Sequence, residues 1–89
     1  MMRNKKDYKN CTAFVLIQTR KGFEREVGEE ILKLDNPLVE NLHTLYGEYD
    51  LIAKIKTNGA IELESFVLND IRRIEGVENT ETLIVSDKE

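Results

Sequence analysis

The sequence is short of most residues that announce a mechanism. In 89 residues it has one cysteine, one histidine, one proline and no tryptophan. A single thiol, Cys11, cannot close an internal disulfide, and with one His43 it makes no zinc site. Cys11 sits in a polar lead-in and His43 mid-strand, so nothing in the spacing joins them as a nucleophile pair. A reducing cytoplasm suits such a chain, and the Asn10-Cys11-Thr12 sequon then has no use. No apolar run nears the roughly 18 residues of a membrane span. The longest, Ala13 to Ile17, has the length of a strand. The first ten residues carry no apolar stretch of the secretory kind. Positive charge is lacking too: 13 Lys and Arg against 17 Asp and Glu leave a net charge of −4. A domain that grips DNA by itself is normally basic, so no direct nucleic-acid contact is expected. There is no Gly-rich phosphate loop and no Ser-His-Asp spacing. No catalytic residue, metal site or cofactor is expected, and Glu24, Glu26, Glu29 and Glu30 read as a solvated helix face.

What is present is a strong hydrophobic pattern. Residues 1–11 read as a mobile polar tail and residues 12–87 as one domain. Thr12 to Thr19 predicts a strand with Ala13, Val15 and Ile17 on one face and Phe14 and Leu16 on the other. Phe23 to Leu34 predicts a helix with the stripe Phe23, Val27, Ile31, Leu34, supported by Arg25–Glu29 and Glu29–Lys33 pairs and stopped at Asp35-Asn36-Pro37. Leu38 to Tyr46 reads as a second strand, Gly47-Glu48 as a two-residue hairpin loop, and Asp50 to Thr57 as a third strand. A second helix is expected from Ala60 to Ile74, with Leu63, Phe66, Val67, Ile71 and Ile74 inward and Gly76 at its C-cap. Thr80 to Ser86 reads as the last strand.

The order is β-α-β-β-α-β, the ferredoxin-like α+β plan: a four-stranded antiparallel sheet with two helices on one face. An internal repeat supports it. Val39-Glu40-Asn41-Leu42-His43-Thr44-Leu45 matches Val77-Glu78-Asn79-Thr80-Glu81-Thr82-Leu83 at five of seven positions, each copy following a helix. These polar segments suit edge strands, and the first and third strands suit the centre. Two helices cover one sheet face, yet the first strand is apolar on both. The expected cover for the other face is a second copy, packed sheet to sheet.

The hairpin Tyr46-Gly47-Glu48-Tyr49-Asp50 is the most informative polar cluster. Asp is unusual in a strand. It reads either as an anchor for the loop or as the acceptor of a ligand ammonium group, with backbone N–H groups near Gly47 receiving a carboxylate. Thr80 and Thr82 add hydroxyls at the same end of the sheet.

Ala13-Phe14-Val15-Leu16-Ile17, Gly47-Glu48-Tyr49-Asp50-Leu51, Ile71 to Val77 and Thr80 to Val85 together resemble the effector (RAM) domain of the Lrp/AsnC transcription regulators. The resemblance spans about Thr12 to Asp87. It implies the fold reached above, dimers formed through the sheets, tetramers or octamers built from them, and an amino acid bound between dimers. It implies Asp50 for the ligand ammonium, with Gly47, Glu48 and Tyr49 shaping the hairpin. Thr80 and Thr82 of a neighbouring subunit would meet the carboxylate or a polar side chain, and Ile84 and His43 would line the pocket. The family's N-terminal helix-turn-helix has no counterpart in the residues before Cys11. The expectation is therefore a stand-alone, oligomeric amino-acid sensor, cytoplasmic, acting on transcription through full-length regulators of the family. The alternatives are a ligand-free oligomerisation module, an ACT-type domain, and a dimeric ferredoxin-like enzyme, for which His43 alone offers a reactive group.

Overall fold

The computed structural model describes residues 11–34 and 38–86. The expected tail at 1–10, the helix stop at 35–37 and the end of the chain from residue 87 lie outside the described residues. The elements follow the order expected: β1 (Cys11–Thr19), α1 (Glu24–Leu32), β2 (Val39–Thr44), β3 (Leu51–Thr57), α2 (Ala60–Phe66) and β4 (Val77–Ile84). The four strands form one antiparallel sheet in the order β2-β3-β1-β4. The apolar β1 and β3 are central and the two repeat segments are the edges. Among the described residues no helix is long and apolar enough to cross a membrane.

Alternation along the central strands builds the core. Ala13, Val15, Ile17, Leu51, Ala53 and Ile55 point inward and are at most 1% exposed. Val27 and Ile31 of α1 and Leu63 and Phe66 of α2 close over them, with Val67 and Ile71 beyond. Fully burying such a Val, Leu, Ile or Phe side chain is worth about 1.5–3 kcal/mol, so these layers supply most of the folding drive. The other face of the sheet carries Phe14, Leu16, Ile52 and Leu83, side by side in the register (Leu16 opposite Ile52, Phe14 opposite Leu83). No helix covers that face among the described residues, and Leu83 is 48% exposed.

Several boundaries differ from the sequence reading. Cys11 is not the end of a tail but the first residue of β1, opposite Thr57. Helix α1 ends at Leu32: the Leu34 N–H bonds to the Ile31 carbonyl three residues back, a tightened last turn. The ion pair found on α1 is Lys33–Glu30 at 3.5 Å rather than either expected pair. Helix α2 does not run on to Ile74 as α-helix. From Val67 to Ile71 it widens into a π turn, with the Arg72 N–H bonded to the Val67 carbonyl five residues back at 2.9 Å.

The last strand starts at Val77, not Thr80. Both edges begin with Val-Glu-Asn, and in both the register jumps across the Glu. Val39 and Asn41 face Ile55 and Lys54, while Val77 and Asn79 face Thr19 and Gln18. Glu40 and Glu78 are thus the extra residues of two matching β-bulges. A bulge breaks the period of two, which is why alternation alone missed the strand's first three residues. Gly76 turns the chain into β4 at φ +101°, and a Cβ there would lie 2.6 Å from Cδ2 of Phe23. Only glycine meets both conditions.

Candidate functional site

The connection between β2 and β3 is longer than a two-residue hairpin. The Leu45 N–H bonds to the Asp50 carbonyl at 2.9 Å, leaving residues 46–49 as the loop. The loop is held from below. The Asp50 N–H donates to the Ile17 carbonyl at 2.9 Å, which aligns Asp50 with the end of β1. Its carboxylate then accepts two bonds at one oxygen: Oδ2 takes the Thr19 N–H at 2.8 Å and the Thr19 hydroxyl at 3.2 Å. Thr19 is 8% exposed, so this bond satisfies a nearly buried amide. Asp50 is therefore an anchor in this fold, its side chain half-buried and Oδ1 without a partner among the described residues.

Two further bonds fold the loop toward the outer sheet face. Gln18 Nε2 donates to the Glu48 carbonyl at 3.1 Å. The Tyr49 hydroxyl donates to Glu81 Oε1 at 2.9 Å, reaching across the end of β1 to β4. That bond to Glu81, more than burial or the nearby carboxylate charges, holds the Tyr49 phenol above its ordinary 10.0.

Thr80, Thr82 and Ile84 go elsewhere. They sit opposite Ile17, Val15 and Ala13, on the inner side of the sheet. Together with Leu63, Glu64, Val67, Leu68 and Arg72 they line an open groove of about 470 Å³ between β4 and the second helix. His43 lies opposite Ile52 on the outer face of β2, with two strands between it and Thr80. So the chain brings Gly47, Glu48, Tyr49 and Asp50 together in one loop, whose Glu48 and Tyr49 bond to the outer-face Gln18 and Glu81, and Thr80, Thr82 and Ile84 together in a groove on the inner side. His43 joins neither.

Sequence reasoning missed four residues that shape these places. Glu81 holds Tyr49, Gln18 and Thr19 hold the loop, and Arg72 stands on the groove's rim. Glu81 was legible in principle, since it alternates with Thr80 and Thr82 and must face the other side. Glu64, Leu68 and Arg72 recur every four residues, the signal for a second helix stripe. Thr19 and Gln18 carried no local signal. A second open groove of about 500 Å³, between Phe23, Glu26 and Glu30 on one side and Asp70, Arg73, Ile74 and Glu75 on the other, contains none of the candidate residues. Among the described residues no cluster of His, Cys, Asp or Glu is arranged to hold a metal ion.

Comparison with known proteins places these features in a family context. The family model described as the Lrp/AsnC ligand binding domain matches residues 12–88. An HTH-type transcriptional regulator of Pyrococcus furiosus, FL11, is 38% identical over 76 residues, 85% of this chain and 48% of the regulator. The chain spans about half the length of the curated relatives it matches. A solved protein of Thermus thermophilus is 38% identical, with a TM-score of 0.80 over 89% of this chain and 96% of that one. A transcriptional regulator of Neisseria meningitidis, solved as its L-Met complex, is 20% identical, with a TM-score of 0.75 over 93% of this chain and 54% of that one. At that identity the likeness is one of fold.

Proposed function

The chain belongs to the Lrp/AsnC ligand-binding domain family, and from that premise we propose that it is an amino-acid sensing module of transcriptional control. It works in the cytoplasm, pairs with a second copy through the outer sheet face, and acts on transcription through partner regulators of its family. It does not itself hold DNA, in keeping with its net charge of −4. Its relatives are named as transcriptional regulators, not enzymes. The fold is also that of a regulator solved with L-Met, which supports an amino acid as the ligand class.

The observation that carries the reading is the state of Asp50. One carboxylate oxygen is committed to Thr19 and the other has no hydrogen-bond partner among the described residues. A carboxylate fixed through Oδ2 presents Oδ1 in a set direction, which suits an ammonium group. Thr80 and Thr82 of a neighbouring copy supply hydroxyl donors for the opposite end of the zwitterion. The same anchoring favours a second reading, in which Asp50 only ties the loop down and the oligomer binds nothing.

A thermal-shift screen of the twenty amino acids on the purified chain separates the two. A ligand at 100 times its Kd stabilises the native state by about 2.7 kcal/mol, a rise of roughly 10–20 °C for a domain of this size. No shift at millimolar ligand overturns the sensor. With a ligand in hand, Asp50→Asn lowers affinity about 10- to 150-fold, as a charge-assisted bond worth roughly 1.5–3 kcal/mol is lost. Equal affinity by calorimetry removes Asp50 from the site.

A further inference from the structure

The inner side of β4 breaks the pattern of the rest of the core. The apolar inward residues of β1 and β3 are at most 1% exposed, whereas β4 presents Thr80 and Thr82 inward, half-buried, opposite Ile17 and Val15. Neither hydroxyl has a hydrogen-bond partner among the described residues. Across the groove stand Glu64 and Arg72, both exposed and without an ion pair among the described residues. A local rule broken without a compensating contact marks a functional or strained place. The helix is altered at the same spot. Arg72 lies eight residues after Glu64, and a regular α-helix would turn it about 80° off the line of Glu64. The extra residue of the π turn, closed by the Arg72 N–H on the Val67 carbonyl, brings Arg72 back over the groove. Such turns are frequent at functional sites.

The groove has two unlike ends. The second helix starts just after Thr57, which faces Cys11, and β4 ends at Ile84, which faces Ala13, so Glu64 and Ile84 share one end. Arg72 and Thr80 share the other, where a short turn joins helix to strand and the Val77 N–H bonds to the Ile74 carbonyl. Leu63 and Val67 are the buried floor, and Leu68 and Ile84 the half-exposed walls. At about 470 Å³ the groove has the size of a small-molecule site, apolar with a few placed polar groups. Eight helical residues rise about 12 Å, so its carboxylate and its guanidinium stand well apart. An α-amino acid bears its ammonium and carboxylate on one carbon and engages only one end. We infer that the groove binds an elongated zwitterion, an unbranched apolar chain with a carboxylate at one end and an ammonium at the other. The carboxylate meets the Arg72 guanidinium and the Thr80 hydroxyl, the chain lies along Val67, Leu68 and Ile84, and the ammonium donates to the Glu64 carboxylate and the Thr82 hydroxyl. This goes beyond the sensor reading: the site is complete in one chain and uses neither the loop nor a second copy.

The probe is 6-aminohexanoate, titrated into the purified full chain and followed through the backbone amide signals by NMR. Saturable shifts are expected along the second helix and β4. Hexanoate and hexylamine, each lacking one charge, bind at least about tenfold more weakly, since each loses a charge-assisted bond. Glu64→Arg and Arg72→Glu each weaken the probe at least about tenfold as well. The double variant, Glu64→Arg with Arg72→Glu, restores it, because an elongated zwitterion turns end for end in a groove whose charges are exchanged. All three variants change exposed side chains only, and a native circular dichroism spectrum checks that each folds. No saturable shift at high millimolar probe, equal binding of hexanoate, no rescue by the double variant, or shifts confined to residues 46–50 overturns the groove site. An amino acid whose binding is lost in Asp50→Asn, with 6-aminohexanoate silent, overturns the groove alone. The charge pattern intact, with no amino acid that depends on Asp50, overturns the sensor alone.

Discussion

The two edges of the sheet are nearly one sequence used twice, and they behave differently. β2 and β4 share Val-Glu-Asn, the bulge it forms, and a Thr. They differ at one inward and one outward position. Inward, β2 has Leu42, which packs against the core and approaches Gly28, whereas β4 has Thr80, which lines an open groove. Outward, β2 has His43, exposed opposite Ile52, whereas β4 has Glu81, which holds Tyr49. Even the bulged glutamates diverge, since Glu40 bridges Lys54 at 3.7 Å and Lys56 at 3.9 Å while Glu78 has no ion pair among the described residues. One side chain on each face is enough to seal one edge and leave the other open. The shared residues build the strand; the unshared ones decide what it does.

The comparison can be broken first at the surface both edges border. Leu16 lies at the centre of the outer face, between Ile52 and Glu81. If that face is buried in a dimer, Leu16→Lys places an unpaired charge in the interface at a cost of several kcal/mol. The expected result by light scattering is a monomer or an insoluble chain, and an unchanged dimer would move the interface elsewhere. Next, Leu42→Thr makes β2 resemble β4. It removes a half-buried apolar side chain from beside α1, and urea unfolding should report a loss of about 1–2 kcal/mol. No loss would show that the β2 edge is not sealed by that residue.

The converse substitution sharpens the comparison. Thr80→Leu gives β4 the inward residue of β2 and fills part of the groove. Stability should stay within about 1 kcal/mol of wild type or rise, while any amino acid that binds the wild type loses affinity; retained affinity would place the ligand outside the groove. The smallest effect concerns Tyr49. Its phenol is raised above 10.0 by the bond to Glu81, so the folded state holds that proton more tightly than the unfolded chain. The bond's contribution is present below about pH 10 and is lost as pH rises through the raised value, so stability declines along that limb. Tyr49→Phe should flatten the alkaline decline and remove from the ultraviolet titration one tyrosine that ionises above 10.0. A profile identical to wild type would show that the bond does not persist in solution.

The sequence by itself determined the order of elements, the central and edge strands, and that β1 is apolar on both faces. These rest on periods of two and 3.6 residues, and an apolar stripe must be buried wherever the chain carries it. It also placed Asp50 and the Thr80-Glu81-Thr82 segment at one end of the sheet, because the strand order follows from the plan. Only the tertiary structure decided which of these side chains face inward. That depends on the register of β3 and β4 against β1, with Leu51 and Thr80 both opposite Ile17 and Glu81 opposite Leu16, which can be seen only against the partner strand. The same holds for the partner of Asp50. The anchor is Thr19, 31 residues away, and the bond exists because pairing across β1 and β3 carries the strand end to the loop. Local pattern fixes which way a side chain must face relative to its neighbours; what it meets there is set by register between strands far apart in sequence.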